Sequence, residues 1–205
     1  MGMNFTLIKQ YIEQLTLEGD ILEIGSNRGE GSTTILGQVA LHNNRVLYSV
    51  DMDSMLIDGN KNFNNSASEI LPIQFYNMKG EDFLKQNKHL KFSVVLLDNF
   101  DWDSCAGLPN TSQDWMKIIM DQKAMYLRLI DTDMTNLNSQ MTHLEQAMLC
   151  IELLTDNSVI ICDDTYRRVD GTYDGKCGAA VPYLMLHGFE VIHSDGLGTI
   201  LSRRK

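Results

Sequence analysis

The stretch Ile21-Leu22-Glu23-Ile24-Gly25-Ser26-Asn27-Arg28-Gly29-Glu30-Gly31-Ser32 narrows the choice of fold more than any other part of the chain. It reads as a buried strand, a glycine-rich turn, and then the first turn of a helix. A strand that feeds a helix in this way brings backbone N–H groups and the positive end of a helix dipole against a ligand. Glycine suits the turn because a side chain would block close approach, and because the backbone there can need positive φ. Glu23, two residues before the first glycine, separates this turn from dinucleotide-binding ones, whose spacing is G-x-G-x-x-G. The pattern here is E-x-G-x-x-x-G-x-G-S. An acid at a strand end suits a ligand that carries a cation, such as a methionine-derived sulfonium with its α-amino group. The same letters also suit an ordinary strand-to-helix turn whose glycines serve packing.

Strands and helices alternate along the rest of the chain. A helix over 4–17 precedes the strand at 20–25, and another runs from Gly29 to about His42. Strands are expected at Val46–Val50, Ile73–Tyr76 and Phe92–Leu97, with a loosely helical Asn-rich stretch after the first of these and a helix over Gly80–Asn87. Phe92–Leu97 and Val159–Cys162 are near-continuous apolar runs, as strands covered on both faces require. This alternation predicts a parallel sheet with right-handed crossovers. Near the end, Gly188–His193 and Thr199–Ser202 flank Ser194-Asp195-Gly196-Leu197-Gly198, which predicts a hairpin and one antiparallel strand.

Between Asp98 and Val159 lies more chain than one crossover helix needs. Trp115, Ile118, Ile119, Tyr126, Leu129 and Ile130 recur at helical spacing, and a second helix is expected over about Ser139–Leu154. The additional helix, Asp114–Ile130, is expected across a ligand mouth, on a homodimer face, or packed on the body. With 205 residues and neither repeats nor a linker, the chain reads as one α/β domain, 1–205, with a helical insertion over about 101–138.

A net charge of -10 argues against nucleic acid as a partner, since basic patches supply most of that affinity. The only basic clusters are Arg203-Arg204-Lys205 and Arg167-Arg168, so a small-molecule partner is expected. No apolar run approaches the ~20 residues of a membrane span and no signal-like segment opens the chain, so neither membrane association nor export is expected. Cys105, Cys150, Cys162 and Cys177 contain no C-x-x-C and read as reduced packing cysteines of a cytoplasmic protein.

Ligands of open parallel sheets sit outside the carboxyl ends of the strands. Acids gather there: Glu23 after the first strand, Asp51 after the second, Asp98 after the fourth, and Asp163-Asp164 after the fifth. Asp51 lies about twenty residues beyond the glycines, where a carboxylate can accept both hydroxyls of a ribose. Asp53 reads better as a helix cap. Asp98, Asp163 and Asp164 repel one another unless something positive sits between them. Oxygen-only ligands suit Mg²⁺, Mn²⁺ or Ca²⁺, which would orient a substrate hydroxyl and lower its pKa. A salt bridge to Arg167 or Arg168 is the other explanation for the cluster.

On these residues the chain resembles the class I S-adenosylmethionine-dependent methyltransferases over nearly its whole length. The motif Glu23–Ser32, the acid Asp51 and the terminal hairpin carry that resemblance. It implies a Rossmann-like three-layer α/β/α sandwich whose seven-stranded, mostly parallel sheet has the order 3-2-1-4-5-7-6, strand 7 antiparallel. Within the family the chain looks like the metal-dependent small-molecule O-methyltransferases of the catechol and macrocin types, through Leu97-Asp98-Asn99 and Cys162-Asp163-Asp164-Thr165. The resemblance implies that Glu23, Gly25, Ser26, Asn27 and Gly29 surround the methionine end of S-adenosylmethionine. Asp51 would hold the ribose, Met52 would flank the adenine, and Gly80 and Glu81 would form the adenine-edge segment. Asp98 would serve both cofactor and metal, and Asp163 and Asp164 the metal.

The departures concern the general base. Catechol-type members carry a lysine three residues after the strand-four acid, where this chain has Asp101. His143, on the helix leading to strand five, has an ordinary pKa suited to proton abstraction, though it also reads as a helix-surface residue. Lys176 follows the acidic pair on a loop near the same mouth and serves as a base if its pKa is lowered beside a metal, or else pairs with a carboxylate. Metal-assisted O-methylation of a small-molecule hydroxyl is the expectation. A non-catalytic cofactor-binding module and aminopropyl transfer on the same fold stand as alternatives, and a NAD-dependent oxidoreductase fits Glu23 less well.

Overall fold

The computed structural model describes residues 5–13, 15–26, 31–66, 70–102 and 112–203. Five parallel strands carry the sheet: β1 (Asp20–Ile24), β2 (Leu47–Asp51), β3 (Ile73–Asn77), β4 (Phe92–Leu97) and β5 (Leu154–Asp163). A two-stranded ribbon, β6 (Thr165–Arg167) with β7 (Tyr173–Gly175), stands apart from it. The hairpin of β8 (Glu190–Ser194) and β9 (Gly198–Arg203) closes the sheet, giving the order β3-β2-β1-β4-β5-β9-β8. β9 runs antiparallel to both neighbours. With the ribbon left out of the count, this is the order 3-2-1-4-5-7-6 that the resemblance implies.

Alternate residues of each strand face opposite layers. Leu22, Ile24, Val95, Leu97, Ile160 and Leu201 pack with residues of α4 (Gly80–Gln86), α6 (Asn136–Cys150) and α7 (Ala180–Leu186). Ile21, Val94, Leu96, Val159, Ile161 and Ile200 pack on the other side with α1 (Phe5–Ile12) and α2 (Ser32–His42). All six residues of β4 are buried, which explains its near-continuous apolar run, broken only by Ser93, in the middle of a parallel sheet. Each fully buried Leu, Ile or Val there contributes about 1.5–3 kcal/mol. Helix α3 (Ser54–Ser66) follows β2, and α5 (Gln113–Ile130) stands between β4 and α6.

The expected additional helix is α5. Ser112 caps it, its Oγ accepting from the Trp115 N–H at 3.2 Å. Two expectations need correction. The leading helix ends at Ile12 rather than residue 17. The helix expected to reach Leu154 ends at Cys150, and β5 begins at Leu154. The polar run Thr155-Asp156-Asn157-Ser158 hides that early start, yet Leu154 is buried and pairs with Phe92. Among the described residues no helix is long and apolar enough to cross a membrane.

Register brings the site together. Ile24 pairs with Val50 on one side and Leu97 on the other, and Leu97 pairs with Cys162. The next residues, Gly25, Asp51, Asp98 and Asp163, therefore stand level along one edge of the sheet.

Candidate functional site

A cavity of about 900 Å³ opens at that edge, bounded by the strand ends, the start of α4, the inner face of α5 and Lys176. The volume suits a nucleoside-sized ligand with room for a second small molecule. Nine carboxylates and three lysines line it, so its charge favours a cationic occupant. Helix α5 forms part of the cavity wall: Trp115, Ile119, Gln122 and Tyr126 line it, while Ile118 and Met120 stay exposed.

The glycines here serve packing before any ligand. Gly25 has φ +94, and a Cβ on it would lie 2.6 Å from the Asn99 N and Asp98 C atoms. Its neighbours tie β1 to both flanks, Gly25 N–H donating to Val50 O at 2.9 Å and Asp98 N–H to Ile24 O at 2.9 Å. A Cβ on Gly80 would come within 2.4 Å of Ile24 Cγ2, so the start of α4 also needs glycine to reach the sheet. Asn27 and Gly29 lie outside the described residues.

Asp51 lines the cavity as expected. Its carboxylate is oriented by two backbone donors, the Ser26 N–H at 3.0 Å and the Asp53 N–H at 2.9 Å. Ser26 itself is buried and serves Asp51 more than the cavity. Met52 lines the wall and packs against the cluster of Phe100, Ile119, Tyr126 and Met134. Glu81 also lines the cavity; it accepts from Gln146 Nε2 at 2.8 Å, and burial raises its carboxyl.

Glu23 is placed differently from the expectation. It is fully buried and does not line the cavity. Its carboxylate accepts from Ser32 Oγ at 2.6 Å, Thr33 Oγ1 at 2.7 Å and Ser49 Oγ at 2.9 Å. The acid thus staples the first turn of α2 to β1 and β2. Burial pushes its carboxyl up to about 7 against the pull of those three hydroxyls.

The acids after β4 and β5 do converge. One oxygen each from Asp98, Asp163 and Asp164 lies within 4.8 Å of the others. Between them sits Lys176, whose Nζ lies 2.7 Å from Asp98 Oδ1, 2.8 Å from Asp101 Oδ1 and 3.3 Å from Asp164 Oδ2. Arg168, weighed from sequence as a partner of the cluster, pairs with Asp174 instead. Burial disfavours the Lys176 ammonium, but Asp98, Asp101, Asp164 and Asp163 together outweigh it and hold the amine well above its ordinary value. That is the reverse of the lowered pKa a lysine base needs.

The same arrangement bears on a divalent ion. Two of the three candidate carboxylates already spend oxygens on Lys176. An ammonium and a divalent ion about 4 Å apart repel by roughly 8 kcal/mol at an effective dielectric of about 20. With Lys176 seated, the cluster does not fit Mg²⁺, Mn²⁺ or Ca²⁺.

His143 is also withdrawn from the expected role. It is fully buried and does not line the cavity, and its Nδ1 pairs with Ser139 O at 2.7 Å. Burial lowers its pKa to about 4, so the ring stays neutral and structural near pH 7.

Three features of the site escaped the sequence reading. The β6–β7 ribbon delivers Lys176, and its one local signal was the dipeptide Asp170-Gly171, with Gly171 at φ +85 in the turn. Asp101 proves to be a partner of that lysine. Tyr126 supports Asp101, its hydroxyl accepting from the Asp101 N–H at 2.9 Å. Backbone strain marks the same place: Phe100 and Asp164, just beyond β4 and β5, have φ of 49 and 45.

No protein-family model matches the chain, and no curated protein is significantly similar to it in sequence. Solved structures do share its fold. A protein proposed to be an rRNA methylase, from Clostridium thermocellum, superposes with a TM-score of 0.60 at 13% identity, covering 98% of this chain and 97% of that one. A proposed methyltransferase from Streptococcus mutans, solved in complex with SAH (S-adenosylhomocysteine), gives 0.58 at 12% identity and 98% coverage of both chains. An O-methyltransferase from Bacillus cereus, also in complex with SAH, gives 0.59 at 12% identity over 98% of this chain and 80% of that one. The Rossmann-like fold of these methyltransferases is the fold of this chain.

Proposed function

We propose that the chain is an S-adenosylmethionine-dependent methyltransferase that acts on a hydroxyl of a small molecule. The observation that carries the reading is the cavity at the level ends of β1, β2 and β4, with Asp51 held by backbone N–H groups at its wall. The carboxylate-rich lining suits a sulfonium and its α-amino group. When bound, the cofactor would supply an electrophilic methyl group for in-line transfer to an acceptor oxygen. Asp51 would hold the ribose, and Met52, Gly80 and Glu81, which line the same cavity, would bound the base. Glu23 acts at one remove, by fixing α2 against β1.

The protein's contribution to such a transfer is mainly alignment of acceptor and methyl group. Trp115, Ile119 and Tyr126 of α5 form the apolar wall against which an acceptor would lie. With His143 buried and Lys176 held as an ammonium, Asp101 or Asp164, paired with that lysine yet 37% and 29% exposed, would take the acceptor's proton. The charge of -10 supports a small acceptor over RNA.

Isothermal titration with S-adenosylmethionine and S-adenosylhomocysteine tests the reading. Both bind the wild-type chain, and Asp51→Ala weakens both; absence of heat from either ligand refutes it. The withdrawal of both expected bases favours one competitor, a cofactor-binding module without turnover. Formation of S-adenosylhomocysteine in the presence of small phenols or catechols excludes that competitor.

A further inference from the structure

Lys176 is set into the carboxylate cluster by the backbone, not left there by a flexible side chain. β6 follows directly from β5 and pairs antiparallel with β7, Thr165 opposite Gly175. A Cβ on Gly175 would lie 2.0 Å from Asp164 O, so the ribbon touches the acidic turn at a point where only glycine passes. The Lys176 N–H donates to Asp164 O at 3.1 Å, and the next residue, Cys177, donates its N–H to Thr165 Oγ1 at 2.9 Å. Held at both sides, Lys176 is 3% exposed and projects its Nζ onto three carboxylates from two different loops. Its Nζ donates to Asp98 Oδ1 at 2.7 Å and to Asp98 O at 3.4 Å, and pairs as an ion with Asp101 and Asp164.

We propose that Lys176 is the resident cation of the cluster, standing where a three-carboxylate site would otherwise hold a divalent metal ion, so that the chain binds none there. The lysine is a positioning residue: it neutralises and orients Asp98, Asp101 and Asp164 so that they can share one small space. The proposal deepens the methyl-transfer reading by making that reaction independent of a metal, yet its test needs neither methyl donor nor acceptor.

Mn²⁺ reports directly, because bound Mn²⁺ loses its solution electron paramagnetic resonance signal. Wild-type protein titrated with about 1 mM Mn²⁺ should leave that signal unchanged and show no thermal shift. Lys176→Met frees the carboxylates, and this variant should take up one Mn²⁺ and gain thermal stability with it, as any ligand of the native state confers. Lys176→Arg, which keeps the cation, should stay metal-free. Removing Asp164 as well, in Lys176→Met/Asp164→Asn, should abolish the acquired site. Stoichiometric Mn²⁺ binding by the wild type that Asp164→Asn removes would overturn the proposal. So would a folded Lys176→Met that binds none. If Lys176→Met fails to fold, the wild-type titration alone decides.

Discussion

Replacing Glu23 by Gln should change how stability depends on pH, and the size of the change follows from its burial. The carboxyl is raised from 4.5 to about 7, with burial the main cause and the hydroxyls of Ser32, Thr33 and Ser49 opposing it. The folded state thus holds a proton that the unfolded chain releases. A raised acid contributes stability that is complete below the unfolded value and is lost as pH rises through the folded one, here between about 4.5 and 7. At about 1.4 kcal/mol per tenfold difference in proton affinity, the loss across that window is roughly 3 kcal/mol. Glutamine stays neutral at every pH, keeps an acceptor for the hydroxyls and fills the same space. Urea unfolding of both proteins at pH 5, 6, 7 and 8, extrapolated linearly, isolates the effect, because the other acids titrate alike in both. The difference between wild type and Glu23→Gln should move by about 2.5 kcal/mol in favour of the variant from pH 5 to pH 8, since pH 5 already lies inside the window. Parallel curves would mean that Glu23 is not the buried, proton-holding staple described here.

Tyr126→Phe removes the acceptor of the Asp101 N–H while keeping the ring packed 4.5 Å from Phe100. The bond is part-buried, so its loss should cost about 1 kcal/mol, which calorimetry should read as a melting temperature lower by about 2–4 °C. An unchanged melting temperature would show that the bond carries no weight. Cys150, Cys162 and Cys177 are buried and free, and burial pushes the Cys150 thiol up to about 12. Mass spectrometry after brief labelling with a thiol reagent should find these three unmodified in native protein and modified in urea; native labelling at any of them would contradict the packing.

What the sequence made legible is what depends on period and order. Level strand ends follow from parallel pairing, so the sequence alone identifies Asp51, Asp98 and Asp163 as neighbours. Helical spacing marks the stripe of α5 only in part: of Trp115, Ile118, Ile119, Tyr126, Leu129 and Ile130, Ile119 and Tyr126 are buried, while Trp115, Ile118 and Leu129 are exposed. What was hidden depends on direction. Glu23 sits on β1 with a side chain that points into the sheet–helix junction rather than the cavity, and its hydroxyl partners lie nine, ten and twenty-six residues away. His143 shares its helix with Thr142 and Glu145, which do line the cavity, but a rotation of about 100° per residue turns it inward. Three-residue strands such as β6 and β7 carry too few letters for any alternation to show.

The ribbon's role in seating Lys176 makes a last prediction about two glycines that look alike in sequence. Gly171 and Gly175 both have positive φ, +85 and +90, so alanine at either is strained by about 1–2 kcal/mol. Their surroundings differ. At Gly171, in the ribbon's turn, the nearest atom to an added Cβ is the end of the Arg167 side chain at 3.4 Å, which can move aside. At Gly175 it is the carbonyl oxygen of Asp164 at 2.0 Å, a backbone atom of the acidic turn itself. Relief there must part β7 from Asp164 and draw the Lys176 Nζ away from the carboxylates it neutralises. Gly171→Ala should therefore lose little beyond the backbone strain, while Gly175→Ala should lose distinctly more in urea unfolding. The excess should shrink at low pH, where protonated carboxylates no longer need the ammonium. Equal losses in the two variants would mean that the ribbon rests on the acidic turn without determining where its lysine goes.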